Sequence, residues 1–186
     1  IKENNIDAVY DKIQLNANEI KKVISDIKAG KIEGINVTVP FKKSIISYLD
    51  ELEPLAKETQ SVNTIFKTNN KIVGDNTDVF GFEKSLKNIN YEVKNKKVFI
   101  LGAGGVVPSV IVALKRLGVK KITLSNRTKE KAEDLKKKNP NLEVINWGES
   151  TDFDMIINAT SLGLKKNDEI NLNYSDTSKK KLFYDI

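Results

Sequence analysis

Residues Lys97-Val98-Phe99-Ile100-Leu101 run straight into Gly102-Ala103-Gly104-Gly105, and the dozen residues that follow, to Leu117, have helical character. This order of strand, tight turn and helix narrows the folds open to the chain more than any other stretch. Free N–H groups at a helix start form an anion site, and glycine lets a pyrophosphate reach the backbone with no Cβ in the way. The spacing is Gly102-x-Gly104-x-x-Val107, with valine where the dinucleotide fingerprint has its third glycine. The strand before it and the helix after it favour dinucleotide binding over a purely structural βα turn.

The 186 residues, 39% of them hydrophobic, suffice for one ordinary domain or two small ones. Cysteine is absent, which excludes disulfides, thiolate zinc sites and cysteine nucleophiles. Histidine is absent too, which removes serine triads, histidine metal sites and the commonest general base. Acid–base chemistry therefore falls to Lys, Asp, Glu or Tyr, and no metal is expected. No apolar run approaches the length of a bilayer span and no signal peptide is visible, so the expected location is the cytoplasm and no membrane partner is expected. The net charge of +6 comes from lysines interleaved with Asp and Glu, without an aromatic-studded basic stripe. That pattern reads as a solvated surface rather than a nucleic-acid face.

Along the chain, Ile6 to Tyr10 is strand-like, and a helix is expected from about Asn18 to Ala29. Ile20, Val23, Ile24 and Ile27 fall on one face of it, with Asn18 as cap and Gly30 as stop. The alternation Ile35 to Val39 predicts a strand ended by Pro40, and a helix from about Phe41 carries Ile45, Ile46 and Leu49. Thr38 and Lys42 thus flank a strand-to-helix junction, where α/β proteins tend to hold ligands. A helix starts at Glu53-Pro54, Ser61 to Phe66 is strand-like, and Thr68-Asn69-Asn70-Lys71 turns into Ile72-Val73-Gly74 as a hairpin. Asp75 to Asp78 suits ordinary helix capping, ahead of a helix with Phe82, Leu86 and Ile89 inward. The Asn-punctuated stretch Asn88 to Lys96 marks the domain junction, dividing residues 1–84 from 85–186.

In the second part, Lys121 to Ser125 is a strand tipped by Asn126-Arg127-Thr128, with Lys131 one helical turn beyond. An NAD binder generally carries an acidic residue at this tip for the ribose hydroxyls, whereas a 2′-phosphate needs cationic and hydroxyl donors. A purely structural basic helix start would oppose the macrodipole. These residues therefore favour NADP over NAD. A helix ending at Asn139-Pro140 and strands at Leu142 to Ile145, Asp154 to Gly163 and Leu182 to Ile186 complete an alternating pattern. Alternation of this kind implies a parallel, doubly wound sheet with ligands at its carboxyl edge.

Five motifs taken together resemble the shikimate dehydrogenase family: Asn36-Val37-Thr38-Val39-Pro40-Phe41-Lys42, Ser61-Val62-Asn63-Thr64, Gly74-Asp75-Asn76-Thr77-Asp78, Gly102-Ala103-Gly104-Gly105 with Asn126-Arg127-Thr128, and Asn158-Ala159-Thr160-Ser161. The resemblance implies an N-terminal α/β substrate domain and a Rossmann-type NADP domain, reducing 3-dehydroshikimate to shikimate with NADPH on the route to chorismate and aromatic amino acids. It implies Lys42 as the catalytic lysine, Asp78 as its carboxylate partner, and Thr38 and Asn63 on substrate hydroxyls. It further implies Gly102, Ala103, Gly104, Gly105 and Val106 at the pyrophosphate, and Asn126, Arg127, Thr128 and Lys131 at the 2′-phosphorylated adenosine. Thr160 and the backbone of Ile186 fall near the nicotinamide, and a homodimer is a family expectation.

The chain departs from the family pattern at Pro108, where a basic residue is common, so one phosphate contact is expected to be missing, and at Val107, where a smaller residue is typical, so a looser strand–helix contact is expected. The family also begins with a strand and a serine-bearing loop before the position of Ile1 and continues beyond Ile186. The 186 residues are accordingly expected to be an internal portion. Two alternatives stay open: a quinate/shikimate dehydrogenase using NAD, against which the Arg127 cluster speaks, and a catalytically incomplete, ligand-sensing relative, against which Lys42 and Asp78 speak.

Overall fold

Asn69 and Asn70, both in the left-handed region at φ 48° and 61°, close a two-residue turn between β3 (Thr64–Thr68) and β4 (Lys71–Asp75) in the computed structural model, which describes residues 7–163 and 180–186. Asparagine is among the few residues that take this conformation at low cost, so the expected hairpin forms with Thr68 opposite Lys71. β1 (Gly34–Asn36) adds antiparallel to β3 and β2 (Glu51–Leu52) adds parallel to β4, giving the order β1-β3-β4-β2. α1 (Ile20–Lys28) buries Ile20, Val23, Ile24 and Ile27 in a core with Val37, Ile45, Ala56, Val62, Ile65 and Ile72.

Several local expectations change in this half. A 3₁₀ turn, Ala17–Glu19, precedes α1, and Asn16 with Glu19 forms the capping box, so Asn18 is not the cap. Residues 7–10 form no strand, and Val9 and Tyr10 stand exposed without a neighbouring ladder; Ile6 lies outside the described residues. The strand expected to Val39 ends at Asn36. The helix expected from Phe41 is instead a 3₁₀ segment, Ser44–Tyr48, following a turn in which the Phe41 N–H donates to the Thr38 carbonyl (3.0 Å) across the cis Val39–Pro40 peptide.

The second sheet is parallel throughout, in the order β7-β6-β5-β8-β9, built from β5 (Lys97–Leu101), β6 (Lys121–Ser125), β7 (Glu143–Ile145), β8 (Met155–Asn158) and β9 (Leu182–Asp185). Strand β5 is buried on both faces. Val98 and Ile100 enter one hydrophobic cluster and Phe99 and Leu101 another, as the two-residue period of a strand requires. The strand order reverses between β5 and β8, which makes the carboxyl ends of those two strands the switch point where such sheets bind ligands.

Helices α3 (Asp78–Asn88), α4 (Val107–Arg116) and α5 (Lys129–Lys138) contribute to the same core, as does Leu55 of α2 (Pro54–Thr59). Val79, Phe82 and Leu86 pack with Val107, Val110, Ile111 and Leu114, so α3, which the 84/85 junction would cut, packs as a whole with the second sheet. Ile89, expected to point inward, is 52% exposed because the helix has ended one residue earlier and the chain turns away at Asn90 (φ 53°). Among the described residues no helix is long and apolar enough to cross a membrane.

Candidate active site

The first half presents its polar groups where β3 and β4 start and end. The Val62 N–H donates to the Lys42 carbonyl (2.8 Å) and the Asn63 N–H to the Asp75 carbonyl (3.0 Å), which sets the Lys42 turn, the approach to β3 and the end of β4 side by side. Across this frame Lys42 Nζ lies 2.7 Å from Asp78 Oδ2. The other carboxylate oxygen, Oδ1, accepts from Asn63 Nδ2 at 2.8 Å, and Asn63 Oδ1 accepts from the Thr77 N–H at 2.9 Å. With side-chain exposures of 14% and 22%, the ion pair is largely shielded from solvent, so its attraction is screened less than that of a surface pair. Asp78 is also the first residue of α3, where the helix dipole favours a negative charge. Thr38 stands exposed on the same turn, four residues ahead of Lys42.

The second half contributes the glycine turn. Gly102 has φ +107°, and a Cβ there would sit 2.5 Å from the Ala159 carbonyl oxygen, so only glycine fits. Its N–H donates to the Ser125 carbonyl (2.8 Å), while Gly104 and Gly105 lie exposed ahead of α4. Val106 is the N-cap of α4. Val107 is fully buried in the core, so it fills the strand–helix contact rather than loosening it; Pro108 occupies the first helical turn, where a missing N–H costs no intrahelical bond.

The two halves meet at one cleft of about 530 Å³ that Lys42, Ala103, Gly104, Gly105 and Lys131 all line. A Cβ on Gly105 would lie 3.8 Å from Lys42 Cδ, so the lysine stem rests against the glycine turn. At the tip of β6, Asn126 Nδ2 donates to the Thr128 carbonyl (2.7 Å), Thr128 occupies the N-cap position of α5 without a side-chain capping bond, and Arg127 is exposed. Beside Gly102, Thr160 Oγ1 donates to Asn158 Oδ1 (2.7 Å), and the Ile186 N–H donates to the Asn158 carbonyl (3.1 Å). Asn158 Nδ2 also donates to Asp185 Oδ1 (2.7 Å), so this side chain ties the ends of β8 and β9 together beside the turn.

Three further polar residues join the halves. Ser61 Oγ donates to the Gly105 carbonyl at 3.2 Å, and the buried Asn76 and Ser109 bond to each other. Ser61 and Asn76 sit inside the sequence motifs without a role assigned by them; Ser109 has no sequence signal at all, being one small residue in an apolar helix.

A glycine turn at the switch point of a parallel sheet, with a lysine–carboxylate pair set against it by a second lobe, defines a two-lobed dinucleotide-binding α/β protein. Comparison with known families narrows the class. Residues 1–65 match the model of the shikimate dehydrogenase substrate binding domain, and residues 83–186 match that of shikimate / quinate 5-dehydrogenase. The chain belongs to the shikimate dehydrogenase family.

It is 58% identical over 186 residues to the shikimate dehydrogenase (NADP(+)) of Pelagibacter ubique (strain HTCC1062), covering all of this chain and 70% of that protein. The crystal structure of shikimate dehydrogenase from Aquifex aeolicus superposes with a TM-score of 0.90 at 46% identity, over 99% of this chain and 69% of that one. The structure of shikimate 5-dehydrogenase from Thermus thermophilus in complex with NADP(H) and shikimate matches with a TM-score of 0.79 at 26% identity, over 88% of this chain and 61% of that one. The chain thus spans roughly two thirds of the length of these relatives.

Proposed function

We propose that the protein reduces 3-dehydroshikimate to shikimate reversibly with NADPH, a step toward chorismate and the aromatic amino acids. The observation that carries this is the Lys42–Asp78 pair at 2.7 Å, whose lysine stem rests against the glycine turn. The residues present fit a dinucleotide: the exposed backbone of Gly104 and Gly105 precedes α4, Gly102 admits no side chain, Arg127 is exposed at the β6 tip, and Lys131 lines the cleft with the glycine turn. Gly102, Ala103, Gly104, Gly105 and Val106 would hold the pyrophosphate. Asn126, Arg127, Thr128 and Lys131 would hold the 2′-phosphorylated adenosine, with Thr160 and the Ile186 backbone toward the nicotinamide. NADPH, when bound, supplies the hydride.

The chain's own groups do the rest. Reduction of a carbonyl develops alkoxide charge on its oxygen, and the Lys42 ammonium stabilises that charge and delivers a proton to it. Asp78 holds the ammonium with one oxygen and offers its carboxylate to a substrate hydroxyl; Asn63 fixes the other oxygen, and the Asn63 and Thr38 side chains complete the grip on substrate. In the oxidative direction Lys42 takes the hydroxyl proton, in a chain without histidine to do so. The names of the similar proteins from Pelagibacter ubique and Thermus thermophilus, which carry NADP(+), NADP(H) and shikimate, support the same substrate and cofactor. We further propose a cytoplasmic location and a homodimer, the latter to be measured by sedimentation of the full-length protein.

The deciding experiment is a steady-state assay of the full-length parent with shikimate and NADP, repeated with quinate and NAD. The first pair should give the higher kcat/KM. A preference for quinate with NAD, or turnover with neither pair, would overturn the proposal.

A further inference from the structure

Asn76 and Ser109 are 33 residues apart in sequence, on the loop between β4 and α3 and on α4, and both are completely buried. Asn76 Nδ2 donates to the Ser61 carbonyl (2.7 Å) and Ser109 Oγ (2.9 Å), with Thr59 Oγ1 sharing a proton at 3.2 Å. Its Oδ1 accepts from Ser109 Oγ (3.2 Å) and from the Val79 N–H (3.3 Å) at the start of α3. One amide therefore touches the end of α2, the approach to β3, the start of α3 and the body of α4. Two residues beyond Asn76 lies Asp78, which carries the candidate carboxylate, and two beyond Ser61 lies Asn63, which donates to it. Ser61 in turn bonds the carbonyl of Gly105 in the glycine turn.

Apolar contacts alone are non-directional and would let α3 and α4 slide by fractions of an ångström. A buried amide with its donors and acceptor all engaged permits one arrangement and penalises the others, because any shift strands a desolvated polar group. We propose that Asn76 and Ser109 are positioning residues that fix the separation between the Lys42–Asp78 pair and the nucleotide turn, and so set the geometry of hydride transfer. This rests on the dehydrogenase activity proposed above. Neither side chain needs to touch a ligand, since both act through the groups they hold.

The test uses the full-length protein with Ser109→Ala, Asn76→Ala and the double variant. Ser109→Ala should lower kcat about 10- to 100-fold, the scale of a sub-ångström to ångström misplacement, while the NADP dissociation constant stays within about twofold. The primary deuterium isotope effect on kcat, measured with shikimate deuterated at the carbon that loses hydride, should rise, and the double variant should lose no more than Asn76→Ala alone.

A second readout does not depend on turnover. Residues 1–186 have no cysteine, so spin labels on Lys28→Cys and Lys138→Cys can report the distance between the halves once any cysteine outside this stretch is replaced. That distribution should broaden in either single variant. Unchanged kcat and isotope effect in the single variants, or an unbroadened distribution in both, would overturn the proposal whatever the melting temperature does. If the unsubstituted protein turns over no shikimate, the enzymatic reading fails on its own, and the label distances still decide whether the pair holds the halves together.

Discussion

Lys42 and Asp78 come from segments 36 residues apart, yet Asn63 and the β3–β4 frame bring them to hydrogen-bonding distance. Replacing Lys42 by alanine removes the proposed proton donor and leaves the glycine turn intact. Turnover should fall by about 10²- to 10⁴-fold, the usual contribution of a positioned acid or base, with the NADP dissociation constant within about twofold. Equilibrium titration beside steady-state kinetics checks this, and lost cofactor affinity with unchanged turnover would contradict it. Arg127→Ala should act at the β6 tip. Loss of a cation paired with the 2′-phosphate should reduce the preference for NADP over NAD by about 10- to 100-fold, read as the ratio of the two kcat/KM values. Gly102→Ala should cost about 1–3 kcal/mol of stability, because its φ of +107° and the Ala159 carbonyl leave no room for a Cβ. A urea melt of this variant that overlays the parent would contradict that geometry.

Between elements, the outer edge of the parallel sheet depends on charge. Glu143 of β7 is drawn below its ordinary carboxylate range, first by the hydrogen bond from Lys121 of β6 and then by that from Thr123. A carboxyl depressed in the folded state adds stability above its unfolded value of about 4.3 and loses it as pH falls through the lower folded value. The group is exposed, so the effect is small. Urea midpoints measured between pH 6 and pH 3 should fall less steeply in Glu143→Gln than in the parent, and parallel slopes would show that the pair contributes nothing.

The elements themselves were unequally legible in sequence. The Asn69-Asn70 hairpin and the strand–glycine–helix unit are local codes, fixed by residues in contact along the chain, and both form as the sequence implies. The short run to Tyr10 failed because a strand needs a neighbour and none pairs with it among the described residues, and the Phe41 segment tightened to 3₁₀. The packing of α3 with the second sheet and the Asn76–Ser109 contact join distant parts of the chain, so no local pattern could announce them. The candidate residues of the site were legible because they fall in recurring motifs, whereas Ser109 acts through a contact that only the fold creates.

At the level of the molecule, a dinucleotide bridging the carboxyl edge of the second sheet would bind the folded chain and not the unfolded one. NADP at about one hundred times its dissociation constant should therefore stabilise the full-length protein by about 2.7 kcal/mol, visible as a higher thermal midpoint. NAD at the same concentration should give a clearly smaller rise, and equal shifts would argue against 2′-phosphate recognition.

Tyr184 of β9 meets α3 from the far side: its ring packs edge-on against Phe82 (centroids 5.4 Å apart), and its hydroxyl lies 2.6 Å from Ser85 Oγ. Ribosomes add roughly 5–20 residues per second, so the helix headed by Asp78 waits on the order of 5–20 s of translation for this partner, 99 positions downstream of Ser85. Through most of that interval the nascent polypeptide already carries Lys42, Asp78 and the glycine turn, yet one flank of the helix is bare. A ribosome stalled before residue 184 would display the Lys42 and Asp78 pair on an unfinished support.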